Sequence, residues 1–161
     1  MTEQSRSLES LQKALAMEMT AVHQYLLHAH VLDDWGLDVL AAKMREEMTE
    51  ELGHASRFID RILFLGGEPK VKAGKAPDYA TGLEGLFSAD LDEEKGAIAF
   101  YSDAARAADE DRDLGTRILF EEIVLDEEGH KDWLTRQLSL LERLGEPTYT
   151  AQNMSDVAES V

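Results

Sequence analysis

Beginning at Leu8, the chain steps through Leu11, Leu15, Glu18, Val22, Tyr25, Ala29 and Leu32 at intervals of three and four residues, the period of a helix that buries one face. This predicts a first helix over about residues 5–34, ended by "DDWG". A second stripe runs Leu40, Met44, Glu47, Glu51, His54, Phe58 and Ile62, a helix over about 38–65 that stops at the glycines and proline of "LFLGGEP". The next stretch, "GGEPKVKAGKAPDYATG" from Gly66 to Gly82, has no helical period and reads as a long connection. Leu83, Leu86, Asp90, Glu94, Ala97, Tyr101 and Ala104 then mark a third helix. After the polar turn "DEDRD", Phe120, Ile123, Glu127, His130, Leu134 and Leu141 mark a fourth, ended by "LGEP".

Two antiparallel hairpins joined by a crossover of some seventeen residues make an all-α, four-helix bundle over about 5–143, because only a long connection returns the chain to the far end. The tail, 146–161, has room for one short fifth helix, and the 161 residues are expected to form a single domain. No strand pattern competes, and two hairpins are too few for a helical repeat array.

Among the polar residues that interrupt the apolar stripes, six form a matched set: Glu18, Glu51, His54, Glu94, Glu127 and His130. An offset of 76 positions lays Glu18 on Glu94, Tyr25 on Tyr101, Glu51 on Glu127, Gly53 on Gly129 and His54 on His130, so the two halves share one design. Glu93 stands beside Glu94, but the stripe selects Glu94. Folding would bury four carboxylates and two imidazoles together, with no lysine or arginine in the stripes at that level. Bare, such a cluster costs several kcal/mol per ion in desolvation and repulsion (about that order). Two divalent cations would neutralise the carboxylates while neutral imidazoles complete the coordination. Mostly oxygen donors with one nitrogen per metal suit iron or manganese better than zinc or magnesium. One Glu from each of two helices and Glu-x-x-His from each of the others is the ligand pattern of di-iron and di-manganese bundles of the ferritin type. Glu51 and Glu127, each one turn from a histidine, are the expected bridges, with Glu18 and Glu94 terminal.

Tyr25 and Tyr101 lie two turns beyond Glu18 and Glu94 on the same faces. Tyr25 is read as a phenol beside the metals, a hydrogen-bond donor or electron source, or else a packing residue; core packing is the expectation for Tyr101. Gly53 and Gly129 fit either close helix approach or simple tolerance of small residues. Trp35 and Trp133 are read as structural, and His23, His28 and His30 as surface or interface residues.

Composition narrows the chemistry further. The net charge is −17, from 33 acidic and 16 basic residues, which repels nucleic acid and anionic lipid and favours cations, besides serving solubility. The one basic patch, "PKVKAGK" from Pro69 to Lys75, reads as a solvated loop. With no cysteine there are no thiolate metal sites or disulfides. No apolar run approaches the roughly 18 residues of a membrane span, and "MTEQSRSLES" lacks the pattern of an export signal, so a cytoplasmic location is expected.

These residues resemble the bacterioferritin family from Leu8 to Tyr149, with local matches in "QYLLHA", "DWG", "RILFLGG" and "DEEGHKDW". All six candidate ligands fall in place. The resemblance implies a ferritin-like bundle with a long crossover between its second and third helices and a short C-terminal fifth helix. It also implies a shell of 24 subunits whose intrasubunit di-iron centre oxidises Fe(II) with oxygen or hydrogen peroxide and passes Fe(III) to a mineral inside. The family binds haem b on a two-fold axis between subunits through a methionine from each, at the position after the first bridging glutamate. That position is Leu52 here, which has no atom to ligate iron. Met48 lies one turn earlier, about 5 Å along the helix, and is a poor substitute. No haem is therefore expected in shells of this chain alone, and a mixed shell with a haem-binding partner subunit would place this chain as the ferroxidase half. Glu46, Glu47 and Glu50 are candidates for holding iron between the centre and the inner cavity, or else part of a solvated helix face.

Other functions fit less well. A manganese catalase or another di-metal carboxylate oxidase or peroxidase needs a substrate pocket or extra domains, and a rubrerythrin-like peroxidase needs a cysteine-rich iron module. A DNA-protecting mini-ferritin builds its ligand set from two subunits and uses basic tails. A non-catalytic structural subunit loses ligands, and this chain keeps all six.

Overall fold

A computed structural model describes residues 3–155, and the rest of the expected tail, 156–161, lies outside the described residues. The helices are α1 (Glu3–Asp34), α2 (Asp38–Phe64), α3 (Leu83–Glu110), α4 (Leu114–Leu144) and α5 (Glu146–Ala151). The first two helices fall within two residues of the expected ranges 5–34 and 38–65, and the third and fourth meet at the polar turn "DEDRD". α1 pairs with α2 and α3 with α4, and the hairpins meet through α1 with α3 and α2 with α4.

The breaks between helices have local causes. Gly36 ends the first helix at φ 82°, and Gly145 separates α4 from α5 at φ 76°, a left-handed conformation that costs glycine nothing. At the α3–α4 turn, Asp113 caps α4: its carboxylate accepts from Thr116 N at 3.1 Å and Thr116 Oγ1 at 2.6 Å. Arg61 from α2 donates to the same carboxylate at 2.6 Å, tying the second hairpin to the first.

The crossover lies along α1. Gln12 Nε2 donates to the Glu68 carbonyl at 2.6 Å, Lys70 N donates to Gln12 Oε1 at 3.1 Å, and Gly74 N donates to Thr20 Oγ1 at 2.9 Å. Contacts at residues 12 and then 20 show the crossover running in the same direction as α1, which delivers Leu83 beside Leu32 and Leu37 at the bundle's other end. α3 therefore runs antiparallel to α1, and α4 returns alongside it.

Burial divides the interior into two apolar clusters. One packs Leu11, Leu15, Phe58, Ile62, Tyr101 and Phe120; the other packs Tyr25, Leu32, Met44, Leu86, Phe87 and Leu134. Each fully buried Leu or Phe contributes about 1.5–3 kcal/mol. Along every long helix the polar interruptions fall between these clusters, so two oily blocks hold one charged layer rigidly in place. No helix among the described residues is long and apolar enough to cross a membrane.

Candidate metal centre

Each of the four helices contributes to the layer: Glu18 from α1, Glu51 and His54 from α2, Glu94 from α3, Glu127 and His130 from α4, all at most 6% exposed. Their donor atoms form two overlapping groups. Glu18, Glu51, His54 and Glu127 offer atoms within 4.8 Å of one another, and so do Glu51, Glu94, Glu127 and His130. Glu51 and Glu127 belong to both groups.

The imidazoles present different nitrogens to different surroundings. His54 Nδ1 faces inward, 2.8 Å from Glu127, 3.2 Å from Glu51 and 3.7 Å from Glu18, while its Nε2 lies 3.0 Å from Asp126. His130 Nδ1 lies 3.0 Å from Glu51 and 3.5 Å from Glu94, and its Nε2 is 2.7 Å from Glu47 and 2.9 Å from Glu50. The rings stack with centroids 6.4 Å apart. An outer carboxylate fixes ring orientation and leaves Nδ1 as the donor toward the cluster.

Several of these short contacts lack hydrogen-bond geometry. Glu51 Oε1, Glu94 Oε2, Glu127 Oε1 and His130 Nδ1 are buried with no hydrogen-bond partner. Donor atoms that crowd together yet do not bond to one another suit a shared cation at their focus, and this donor set fits two divalent ions.

Electrostatics give the same picture. Burial, with Glu51 and Glu127 as like-charged neighbours, pushes the Glu18 and Glu94 carboxyls well above the usual carboxylate range. Burial alone would lower both imidazoles, but the close approach of Glu127 and the surrounding carboxylates outweighs it and raises both. Burial likewise raises Glu127, and the neighbouring Glu94 carboxyl and the two imidazoles reverse that and hold it low. These shifts favour the protonated form of Glu18, Glu94, His54 and His130 in the bare cluster, and a divalent cation competes with the protons for those sites.

The phenols complete a two-fold pattern. Tyr25 donates to Glu94 Oε1 and Tyr101 donates to Glu18 Oε1, both at 2.6 Å. The expectation of mere core packing for Tyr101 is corrected: its ring packs against Phe58 and Phe120, and its hydroxyl holds a cluster carboxylate. Burial and the adjacent carboxylates keep both phenols protonated, well above the usual range.

Other expectations need revision. His28 is not a surface residue: it is fully buried, with Nδ1 2.9 Å from Asp90, which also accepts from Gln24 Nε2 at 2.7 Å. His23 and His30 are exposed. Of the three helix-face glutamates, Glu46 is exposed, Glu50 is exposed beside His130, and Glu47 is buried. Glu47 pairs with Lys43 at 2.6 Å, so a lysine does stand next to this layer, on its edge. Gly53 and Gly129 have open space around them within the chain, which removes close helix approach as their reason. Trp35 and Trp133 are half-buried, and Trp133 meets Phe87 edge-on. Sequence reasoning missed Asp126, although the same offset of 76 relates it to Glu50, and each holds the outer nitrogen of the opposite hairpin's histidine.

The four carboxylates and Tyr101 line a cavity of about 20 Å³ between α1 and α3, room for little more than an ion and a small molecule. Grooves of about 450 and 700 Å³ lie elsewhere, away from the converging donors.

The ferritin-like domain family matches residues 8–144. The bacterioferritin of Brucella melitensis is 39% identical over 153 residues, covering 95% of each chain. That of Rhodobacter capsulatus is 38% identical over 157 residues, covering 96% of this chain and 98% of its own. The R. capsulatus bacterioferritin structure, solved with a metal-free dinuclear site and haem iron on a crystallographic special position, superposes with a TM-score of 0.93 at 37% identity, covering 98% of this chain and 99% of that one. Mycobacterium tuberculosis bacterioferritin BfrA gives 0.90 at 38% identity, covering 92% and 94%. The chain belongs to the ferritin-like family and, within it, to the bacterioferritins.

Proposed function

We propose that this chain stores and detoxifies iron, and that Glu18, Glu51, His54, Glu94, Glu127 and His130 form a ferroxidase centre that binds two Fe(II) as substrate and oxidises them to Fe(III). The observation that carries this reading is the sharing of Glu51 and Glu127 between two four-residue donor groups. Shared carboxylates hold two cations close together, so one oxidant can take an electron from each, and an oxygen-rich donor set favours Fe(III) over Fe(II). The oxidant is oxygen or hydrogen peroxide. The small cavity supports this choice over an oxidase or peroxidase of organic substrates, for which about 20 Å³ is too little. It does not distinguish a manganese catalase, whose substrate is small; iron uptake does.

The residues around the centre have separate tasks in this reading. Tyr25 and Tyr101 hold the terminal carboxylates, and Tyr25 is a candidate electron source. Asp126 and Glu50, with Glu47, orient the imidazoles. Glu46 and Glu50, exposed on α2, are candidates for passing iron on toward the mineral. The chain acts as a single ferritin-like domain in a homo-oligomeric shell of 24 copies in the cytoplasm, without nucleic-acid or membrane partners. Haem does not fit the chain at Leu52, so any haem would come from a partner subunit in a mixed shell.

Aerobic titration with Fe(II) tests the function. The expected result is rapid oxidation saturating at two irons per chain, followed by slower uptake of many more into a particle of 24 chains of 18.0 kDa. A small oligomer that binds two metals and stores none would sink the storage reading.

A further inference from the structure

On the α2–α4 side the two imidazoles, with Asp126 and Glu50 on their outer nitrogens, stand between the cluster carboxylates and solvent. The α1–α3 side is different. There the cavity reaches outward past Met17 and Ala21 on α1 and Glu93 and Ala97 on α3. Glu51 Oε1, Glu94 Oε2 and Glu127 Oε1, all buried and without hydrogen-bond partners, belong to carboxylates lining its inner wall. Glu93 is the one charged residue of the outer wall, and its side chain is 32% exposed.

The crossover passes over this opening. Gly74 N donates to Thr20 Oγ1 at 2.9 Å and to the Ala16 carbonyl at 3.3 Å, which pins the loop to α1 on either side of Met17 and Glu18. The next residue, Lys75, pairs its ammonium with Glu93 across the opening on α3. The lysine side chain is 60% exposed, so it can leave for solvent without moving the pinned backbone.

We propose that Glu93 is the outer carboxylate on the path by which divalent metal reaches the paired sites, and that Lys75 is a tethered counter-cation displaced from it as metal loads. This rests on the two-metal reading of the cluster. An ammonium and a divalent ion compete for the same carboxylate, and the double charge favours the ion. An exposed lysine–carboxylate pair is weak and exchanges readily. Lys75 therefore slows loading without abolishing it, and it keeps a negative mouth from standing uncompensated over a negative cluster.

Anaerobic stopped-flow mixing with Co(II), followed by its d–d absorption at low ionic strength, tests this without any oxidation step. K75Q is expected to load at least about three-fold faster than the wild type and E93Q at least about three-fold slower, within the range of electrostatic steering. The double variant is expected to match E93Q. All four proteins should reach two Co(II) per chain at equilibrium. Wild-type loading rates in K75Q, or the full K75Q acceleration surviving in the E93Q background, would overturn the displacement mechanism and leave only a long-range field effect. Fewer than two Co(II) per wild-type chain at saturation would overturn the paired-site reading on which it rests.

Discussion

Each of the buried residues in the charged layer needs a positive partner, and protons and metal ions compete for that role. Four groups, Glu18, Glu94, His54 and His130, bind protons more tightly in the folded chain than in the unfolded one. The folded state therefore binds more protons than the unfolded state over the interval between the two sets of pKa values, and its stability falls as pH rises through it. The carboxyls contribute to this loss above about pH 4.5 and the imidazoles above about pH 6.5. Glu127 has the opposite sign, and its contribution is lost only toward strong acid. Chelator-treated protein should thus melt at progressively lower temperature from about pH 5 to about pH 8, and metal should remove most of that slope. Loading two divalent ions should release protons from the raised groups, measured with a pH indicator in weak buffer. A value near zero would mean that the carboxylates and imidazoles are already deprotonated.

The orienting carboxylates give a second prediction at the same scale. Asp126 holds His54 Nε2 from outside the cluster and is itself exposed enough to tolerate change. Asp126→Asn is expected to weaken metal binding about ten-fold, the lower end of what such outer partners contribute. It should leave the melting temperature of the chelated protein nearly unchanged. Competition against a coloured chelator reads the affinity, and an unchanged value would show that packing alone fixes the ring.

Among the elements, helices were legible because three- and four-residue steps recur over seven or more positions in each, and the six cluster residues because they broke those stripes in duplicate. Asp90 breaks the third stripe in the same way; its partner is His28, which stands off the α1 stripe, so the period gives no sign of its burial. Tyr101 hid for a related reason. A tyrosine ring suits a core position, so the period accounts for its ring and says nothing of where the hydroxyl bonds. Asp126 and Lys43 were hidden because side-chain reach across helices is set by packing angle, which a one-dimensional period does not carry. The junctions depend on such reach too. Asp113 caps α4 and accepts from Arg61 of α2. Asp113→Ala removes the cap and leaves a half-buried guanidinium without its carboxylate, a loss of about 1–2 kcal/mol. The melting midpoint should fall by roughly 3–6 °C for a chain of this length, with metal stoichiometry unaffected because the turn lies at the bundle's end, away from the charged layer.

For the whole molecule, the pseudo-repeat makes the protomer a pair of like hairpins, and its outer surface decides what lies between protomers. Leu52 sits on α2 one residue beyond Glu51, turned about 100° round the helix: Glu51 is buried and Leu52 is 43% exposed. An exposed leucine on a bundle face stabilises a contact with a second copy by burial alone. It has no lone pair, whereas a thioether sulfur on each of two symmetry-related copies can ligate one haem iron from both sides. The substitution therefore separates packing from ligation. Leu52→Met keeps the volume and apolar character of the side chain to within about 1.5 kcal/mol, so assembly should be retained, and it adds the missing donor. The wild-type chain purified alone is expected to show no bis-methionine haem spectrum, and Leu52→Met, supplied with haem, is expected to gain one approaching one haem per two chains. A stoichiometric bis-methionine spectrum in the wild type would mean that Met48, one turn away, reaches the axis after all, and it would end the argument that this chain needs a partner subunit for haem.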